Sequence, residues 1–107
     1  MKLPNSENVQ IDERKVRGYL LSRSHPIGRF KARVFATLGF DESSAPEFVA
    51  ELRRIAAGGE VDREEDFEFT VLGEMNGPAG SARVLTVWFR PRGEADVRLI
   101  TVVPRRP

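Results

Sequence analysis

The sequence predicts an α+β domain, with two to three amino-terminal helices packed on one face of a small antiparallel sheet of three or four strands. Apolar residues recur at spacings of three and four as far as Gly58, and at every second position after Asp66. The two regimes do not interleave, which separates a helical half from a sheet half. Short reverse connections rich in Gly and Pro join the expected strands, as antiparallel neighbours require.

Residues 1–11 read as an extended lead-in, since Pro4 and Asn5 interrupt any helix and a polar Ser-Glu-Asn tract follows. A helical part spans 12–58. Asp12 is a good N-cap for a first helix whose stripe is Val16, Tyr19 and Leu20, ending near Leu21. Ser24 or His25 caps a second helix with Pro26 in its first turn, and Ile27, Phe30, Val34, Phe35 and Leu38 form its expected buried face. Gly39 ends it as a C′ residue. A third helix opens on Ser44-Ala45-Pro46-Glu47, which has capping-box spacing, and buries Phe48, Val49, Leu52, Ile55 and Ala56 before Gly58-Gly59. The acidic run Glu60 to Asp66 reads as a solvated connector. The antiparallel sheet is expected over 66–103: a strand from Phe67 to Val71, a Gly/Asn/Pro turn from Gly73 to Gly80, and two further strands, Ser81–Arg90 and Val97–Val103, joined by Pro91-Arg92-Gly93-Glu94. Residues 104–107 form a tail expected to fray.

A chain of 107 residues has room for one domain, 1–107. With no cysteine, thiol nucleophiles, thiolate zinc sites, disulfides and iron–sulfur clusters are excluded. One histidine does not make a zinc site, and neither cofactor nor metal is expected. The lysines are Lys2, Lys15 and Lys31, so the acidic run has no sheet lysine with which to build a carboxylate-and-lysine nuclease centre. Phosphate loops, dinucleotide fingerprints and Gly-x-Ser-x-Gly are missing. No apolar run has the length of a membrane span and the amino terminus lacks a secretion signal, so the expected setting is the cytoplasm, with no membrane partner.

Charge is segregated although the net charge is only +1. Residues 14–33 hold seven cations and no acid, whereas 41–74 hold eleven acids against three arginines. Such segregation suits a cationic face that meets phosphate or an acidic partner, or two segments that neutralise each other. Within the basic block, Lys31 falls inside the apolar arc of the second helix, where an ammonium is costly unless it opens into a cleft or snorkels along its stem. Arg29, Lys31 and Arg33 crowd a helix start that favours anions, and Gly28 beside His25 offers close approach, so the helix amino terminus reads as a phosphate or carboxylate cradle or as a solvated basic face. His25 is the single side chain with an unperturbed pKa suited to proton transfer near neutrality; its plain structural alternative is a cap. In the sheet, Thr86, Trp88 and Arg90 share a predicted strand face, with Arg83, Arg98 and Thr101 nearby, as a cleft lining or, for Trp88, as core.

Lys2-Leu3-Pro4-Asn5, Tyr19-Leu20-Leu21, His25-Pro26-x-Gly28-x-x-Lys31-Ala32-x-x-Phe35, Leu38-Gly39 and Leu99-Ile100-Thr101 together resemble a family of small uncharacterised bacterial domains that begin KLPN. The resemblance covers most of the chain and implies a bacterial conflict setting, since such domains also form carboxy-terminal modules of polymorphic toxins and phage-head fusions. The order of elements is further similar to the superfamily of metal-independent ribonucleases that includes barnase, EndoU, colicin nuclease domains and RelE-type toxins. That likeness implies a toxin-like ribonuclease with His25 as general base or acid, Lys31 and Arg29 stabilising the transition state, and Arg98 with Thr101 contacting phosphate. Gly28, Arg33 and Trp88 are the expected substrate contacts. The rival expectation is a non-catalytic interaction module that uses the basic helix face against a cognate antitoxin or immunity protein. A third is a nonspecific nucleic-acid binder with steep salt dependence.

Overall fold

The computed structural model describes residues 1–26 and 28–105, and it is an α+β fold with its helices preceding a four-stranded antiparallel sheet. Strands β1 (Val61–Glu65), β2 (Glu68–Gly77), β3 (Gly80–Phe89) and β4 (Arg98–Pro104) lie side by side in chain order. Period-2 alternation dictates the faces: Phe69, Val71, Met75, Val84, Trp88, Leu99 and Val102 are buried, while Leu72, Leu85 and Val87 stay half-buried. Thr86 is a buried polar residue on the core face, and its hydroxyl donates to the Val71 carbonyl at 2.8 Å.

Two expectations about the sheet change. The acidic run expected as a connector is an edge strand, β1, whose register runs from Val61↔Val71 to Glu65↔Glu68 with an irregularity after Val61. It keeps its solvated side chains, because an outermost strand uses only its backbone for pairing and charges there discourage further strand addition. The stretch 73–80, expected as a turn, is mostly strand, and only Pro78-Ala79 connect β2 to β3. Its glycines serve close packing: a Cβ on Gly73 would come within 2.7 Å of the Ile55 side chain, and one on Gly77 within 2.0 Å of the Leu38 carbonyl oxygen. The lead-in is also more than extended. It makes a 3-10 turn at Ser6–Asn8, buries Leu3 and Val9, and sets Gln10 as a parallel bridge beside Arg98, with the Gln10 N–H on the Val97 carbonyl at 2.9 Å.

The helices are α1 (Glu13–Lys15), α2 (Arg29–Thr37) and α3 (Ala45–Gly58). Asp12 caps α1 as expected, accepting the Arg14 N–H at 2.9 Å. After one turn α1 widens into a π-helical segment, Val16–Leu20, which buries Val16 and Leu20. The second helix starts three residues later than its sequence signals suggest, at Arg29 rather than near Pro26, and buries Ala32 and Phe35. Phe30 and Val34, expected on its buried face, are 58% and 38% exposed; Ile27 lies outside the described residues. The inward stripe is Ala32, Phe35 and Leu38, narrower than the expected face. Gly39, at φ 95°, ends α2 as a left-handed C′ residue, and the Phe40 N–H reaches back to Phe35. The capping box sits one turn before the expected one: Asp41 accepts from the Ser43 and Ser44 N–H groups and Ser44 Oγ accepts the Asp41 N–H at 2.8 Å, in a 3-10 turn that runs into α3. A carboxylate at that position accepts two main-chain donors, which a serine at 44 cannot match. Phe48 of α3 stacks edge-on against Phe35 and Phe40, with centroids 4.9 and 5.3 Å away. At the far end Pro104 closes β4 and the Arg105 N–H donates to the Arg83 carbonyl; the rest of the expected tail, Arg106 and Pro107, lies outside the described residues.

Candidate functional site

Three elements converge at the outer edge of β4. Val87 pairs with Thr101 and Trp88 with Leu99, so Ile100 is an extra residue and β4 carries a bulge there. The Lys31 ammonium of α2 donates to Thr101 Oγ1 at 2.8 Å, while the Lys15 ammonium at the end of α1 donates to the Ile100 carbonyl. Two lysines from different helices are thus fixed on consecutive residues of one bulge.

Tyr19, in the π-helical segment, completes the cluster. Its ring lies 5.5 Å below the Lys31 ammonium and meets the His25 ring edge-on at 4.8 Å. Lys15 and Tyr19 are four residues apart, which places both on the side of the first helical segment that faces α2 and β4. Partial burial lowers the Lys31 pKa from the ordinary lysine value, and repulsion from Lys15 lowers it further.

His25 is held by its own turn. The Gly28 N–H donates to its Nδ1 at 3.0 Å, so in the neutral ring the proton resides on Nε2. The Arg29 N–H is bound to the His25 carbonyl at 3.0 Å. These two main-chain donors, expected to cradle an anion, are therefore used inside the turn. Gly28 is buried, and its expected role of close approach is realised against the main chain: a Cβ there would lie 2.1 Å from the Tyr19 carbonyl oxygen.

The remaining predicted site residues separate into three places. Arg29 and Arg33 are exposed and lean on the Phe30 ring, with guanidinium carbons 5.0 and 5.9 Å from its centroid. Arg98 is turned away, forming a two-pronged ion pair with Glu94 at 2.8 and 3.0 Å. It lines a cleft of about 720 Å³ together with Gln10, Asp12, Lys15, Glu94 and Asp96, so Lys15 is the link between that cleft and the lysine cluster. Trp88 is fully buried and donates its indole N–H to Thr86 Oγ1 at 2.8 Å, which makes it a core residue with no surface to offer a ligand; Arg90 leaves that face and covers the exposed Phe67 ring at 5.6 Å.

Sequence reasoning did not single out Lys15 or Tyr19. Tyr19 reads as one more member of an apolar stripe, and Lys15 as one cation among seven. Their shared spacing of four, with a phenol inside an otherwise aliphatic stripe, is the signal that points to them. Among the described residues no three His, Asp or Glu side chains converge as ligands for one ion, and no helix is long and apolar enough to cross a membrane. No curated protein matches the chain. A family model described as a domain of unknown function, DUF6883, matches residues 2–106, and the chain is a member of that family of uncharacterised domains.

Proposed function

We propose that this domain cleaves RNA without a metal ion, as a toxin-like ribonuclease of a bacterial conflict system, at the cluster of Lys15, Tyr19, His25, Lys31 and Thr101. The observation that carries the reading is the Lys31 to Thr101 contact, because it holds a partly buried amine with a lowered pKa near a second lysine and on the Tyr19 ring, which the single histidine also touches. Lys15 offers a cation to the phosphodiester, and its repulsion, added to burial, favours the neutral form of Lys31 that a proton acceptor needs.

In this reading the 2′-hydroxyl of the substrate attacks the neighbouring phosphorus. Its proton passes to Lys31 in the neutral amine form that burial and Lys15 favour, the O2′–P bond forms, the P–O5′ bond breaks, and the leaving oxygen takes a proton from water. Lys15 faces the non-bridging oxygens as a fixed cation. His25, its Nδ1 accepting the Gly28 N–H and its ring edge-on to Tyr19, is assigned to the electrostatic support of the phosphate. Thr101 orients Lys31. Arg98, held by Glu94, lies along the cleft beyond Lys15 and has a place only in binding a flanking phosphate.

Incubation with total RNA and with tRNA in EDTA tests the assignment. Products ending in 2′,3′-cyclic phosphate are expected from the wild type, and none from Lys31→Ala. Lys31→Arg keeps the charge but not a titratable amine, so it is expected to bind RNA and leave it intact. Cleavage that survives in Lys31→Ala, or intact RNA with the wild type, overturns the proposal.

A further inference from the structure

The exposed face of α2 carries an aromatic ring that the fold does not use. Phe30 is 58% exposed, does not belong to the apolar core, and has the less exposed Val34 one turn on. Isolated exposed apolar residues are common, but this ring is flanked by Arg29 and Arg33, whose guanidinium groups rest on it. Among the described residues no carboxylate pairs with Arg29, Lys31 or Arg33, as is also true of Lys15, Arg23, Arg53, Arg83, Arg90, Arg92 and Arg105; what distinguishes this face is the ring between two of its cations. The face therefore offers an exposed ring with two guanidinium groups 5.0 and 5.9 Å from its centroid.

We infer that Phe30, between Arg29 and Arg33, is a stacking platform for a nucleobase of single-stranded RNA, a subsite beside the Lys31 centre. The inference rests on the proposed RNA-cleaving function and specifies how its substrate is held. Phe30 directly precedes Lys31 on α2 but points about 100° around the helix from it, so a strand that fills both sites passes from the outward face to the side turned to β4. A ligand for this face needs an aromatic surface and a negative charge in the same repeating unit, and a single-stranded nucleic acid has both, with stacking that tolerates any base. An acidic protein segment satisfies the charge and leaves the ring exposed.

The test uses a fluorescent 2′-O-methyl oligoribonucleotide, which binds but has no 2′-hydroxyl to attack, with anisotropy read at several salt concentrations. Phe30→Ala is expected to weaken binding about 5- to 100-fold, and Phe30→Trp to restore it. Because Phe30→Ala removes no charge, the slope of log affinity against log salt is expected to stay as in the wild type, whereas Arg29→Gln with Arg33→Gln is expected to flatten it by about 1.4. Wild-type affinity in Phe30→Ala, or an acidic peptide displacing the oligonucleotide at equal concentration, overturns the inference. The two proposals fail separately. Phe30-dependent binding without cleavage of natural RNA supports the platform and removes the ribonuclease; cleavage indifferent to Phe30 does the reverse. Unchanged thermal midpoints check that the exposed substitutions leave the fold alone.

Discussion

Lys31 Nζ and Thr101 Oγ1 are 2.8 Å apart although 70 residues separate them in the chain, and this contact joins the helical half to the last strand. Thr101→Val removes the acceptor and keeps the shape. The expected result is a loss of about 1 kcal/mol of stability, measured by urea unfolding, with RNA cleavage falling further than that loss explains. Equal cleavage by the folded variant and the wild type would contradict the orienting role given to Thr101.

Lys31 also sets a pH dependence. Its folded pKa lies below the ordinary value, so between the two values the unfolded chain binds the extra proton and stability rises with pH. Below both values the ammonium is charged in either state and its full burial penalty is present. Lys31→Met is expected to flatten the alkaline rise, and Lys15→Gln to raise the Lys31 pKa because a like charge is gone. Titration of the Lys31 side chain by NMR reads the second effect directly; a value that fails to move would show that Lys15 is too well screened to matter.

Gly28 is expected to tolerate no side chain. Gly28→Ala places a methyl 2.1 Å from the Tyr19 carbonyl oxygen, in main chain that has no rotamer to yield. Overpacking of this kind costs about 1–3 kcal/mol, and here it displaces His25 and Tyr19 together. Calorimetry should find a lower midpoint, while Gly18→Ala, with nothing near the added carbon, serves as the control.

Glu51 ties α3 to β2, accepting from the Arg54 guanidinium at 2.9 and 3.0 Å and from the Asn76 N–H at 2.7 Å. The Arg54 hydrogen bonds hold its carboxyl below the ordinary range against the opposing effect of burial. A carboxyl of lowered pKa stabilises the fold above its unfolded value and loses that contribution as pH falls through its folded value. Glu51→Gln should therefore cost about 1 kcal/mol at neutral pH and progressively less in acid. A difference from wild type that stays constant into acid would rule out the charge as its source.

The division into helices and sheet was legible because burial leaves a period, and Phe69, Val71, Val84, Trp88, Phe48 and Leu52 obey it. Strand β1 was not, since an edge strand with both faces in water has no apolar alternation to display. The hairpin that follows it was masked by chemistry as well: Asp66 and Phe67 both have positive φ, 50° and 64°, where Asn-Gly would have announced the turn, and Phe67 stands 54% exposed. At the candidate site, Lys31 was legible as a charge on an apolar arc. Its partners were not, because Thr101 and Lys15 meet it only through the bulge at Ile100, which is a property of strand pairing rather than of local pattern. Phe30 was misplaced because the apolar arc on α2 is wider than the stripe that packs: Ala32, Phe35 and Leu38 are buried, while Phe30 and Val34 at the other side of the arc stay exposed.

The parallel bridge between Gln10 and Arg98 has a kinetic consequence. It clasps the lead-in to the last strand, and Leu3 and Val9 share a core with Leu99 and Val102. Such distant pairing must close a long loop before any stabilisation returns, which slows the search for the native topology. Until β4 pairs with β3, Leu3 and Val9 face an open apolar seam where Leu99 and Val102 belong, so docking of the lead-in and completion of the sheet are one event. The Lys31–Thr101 contact lies across the same closure, so the lysine cluster forms only in the step that seats β4.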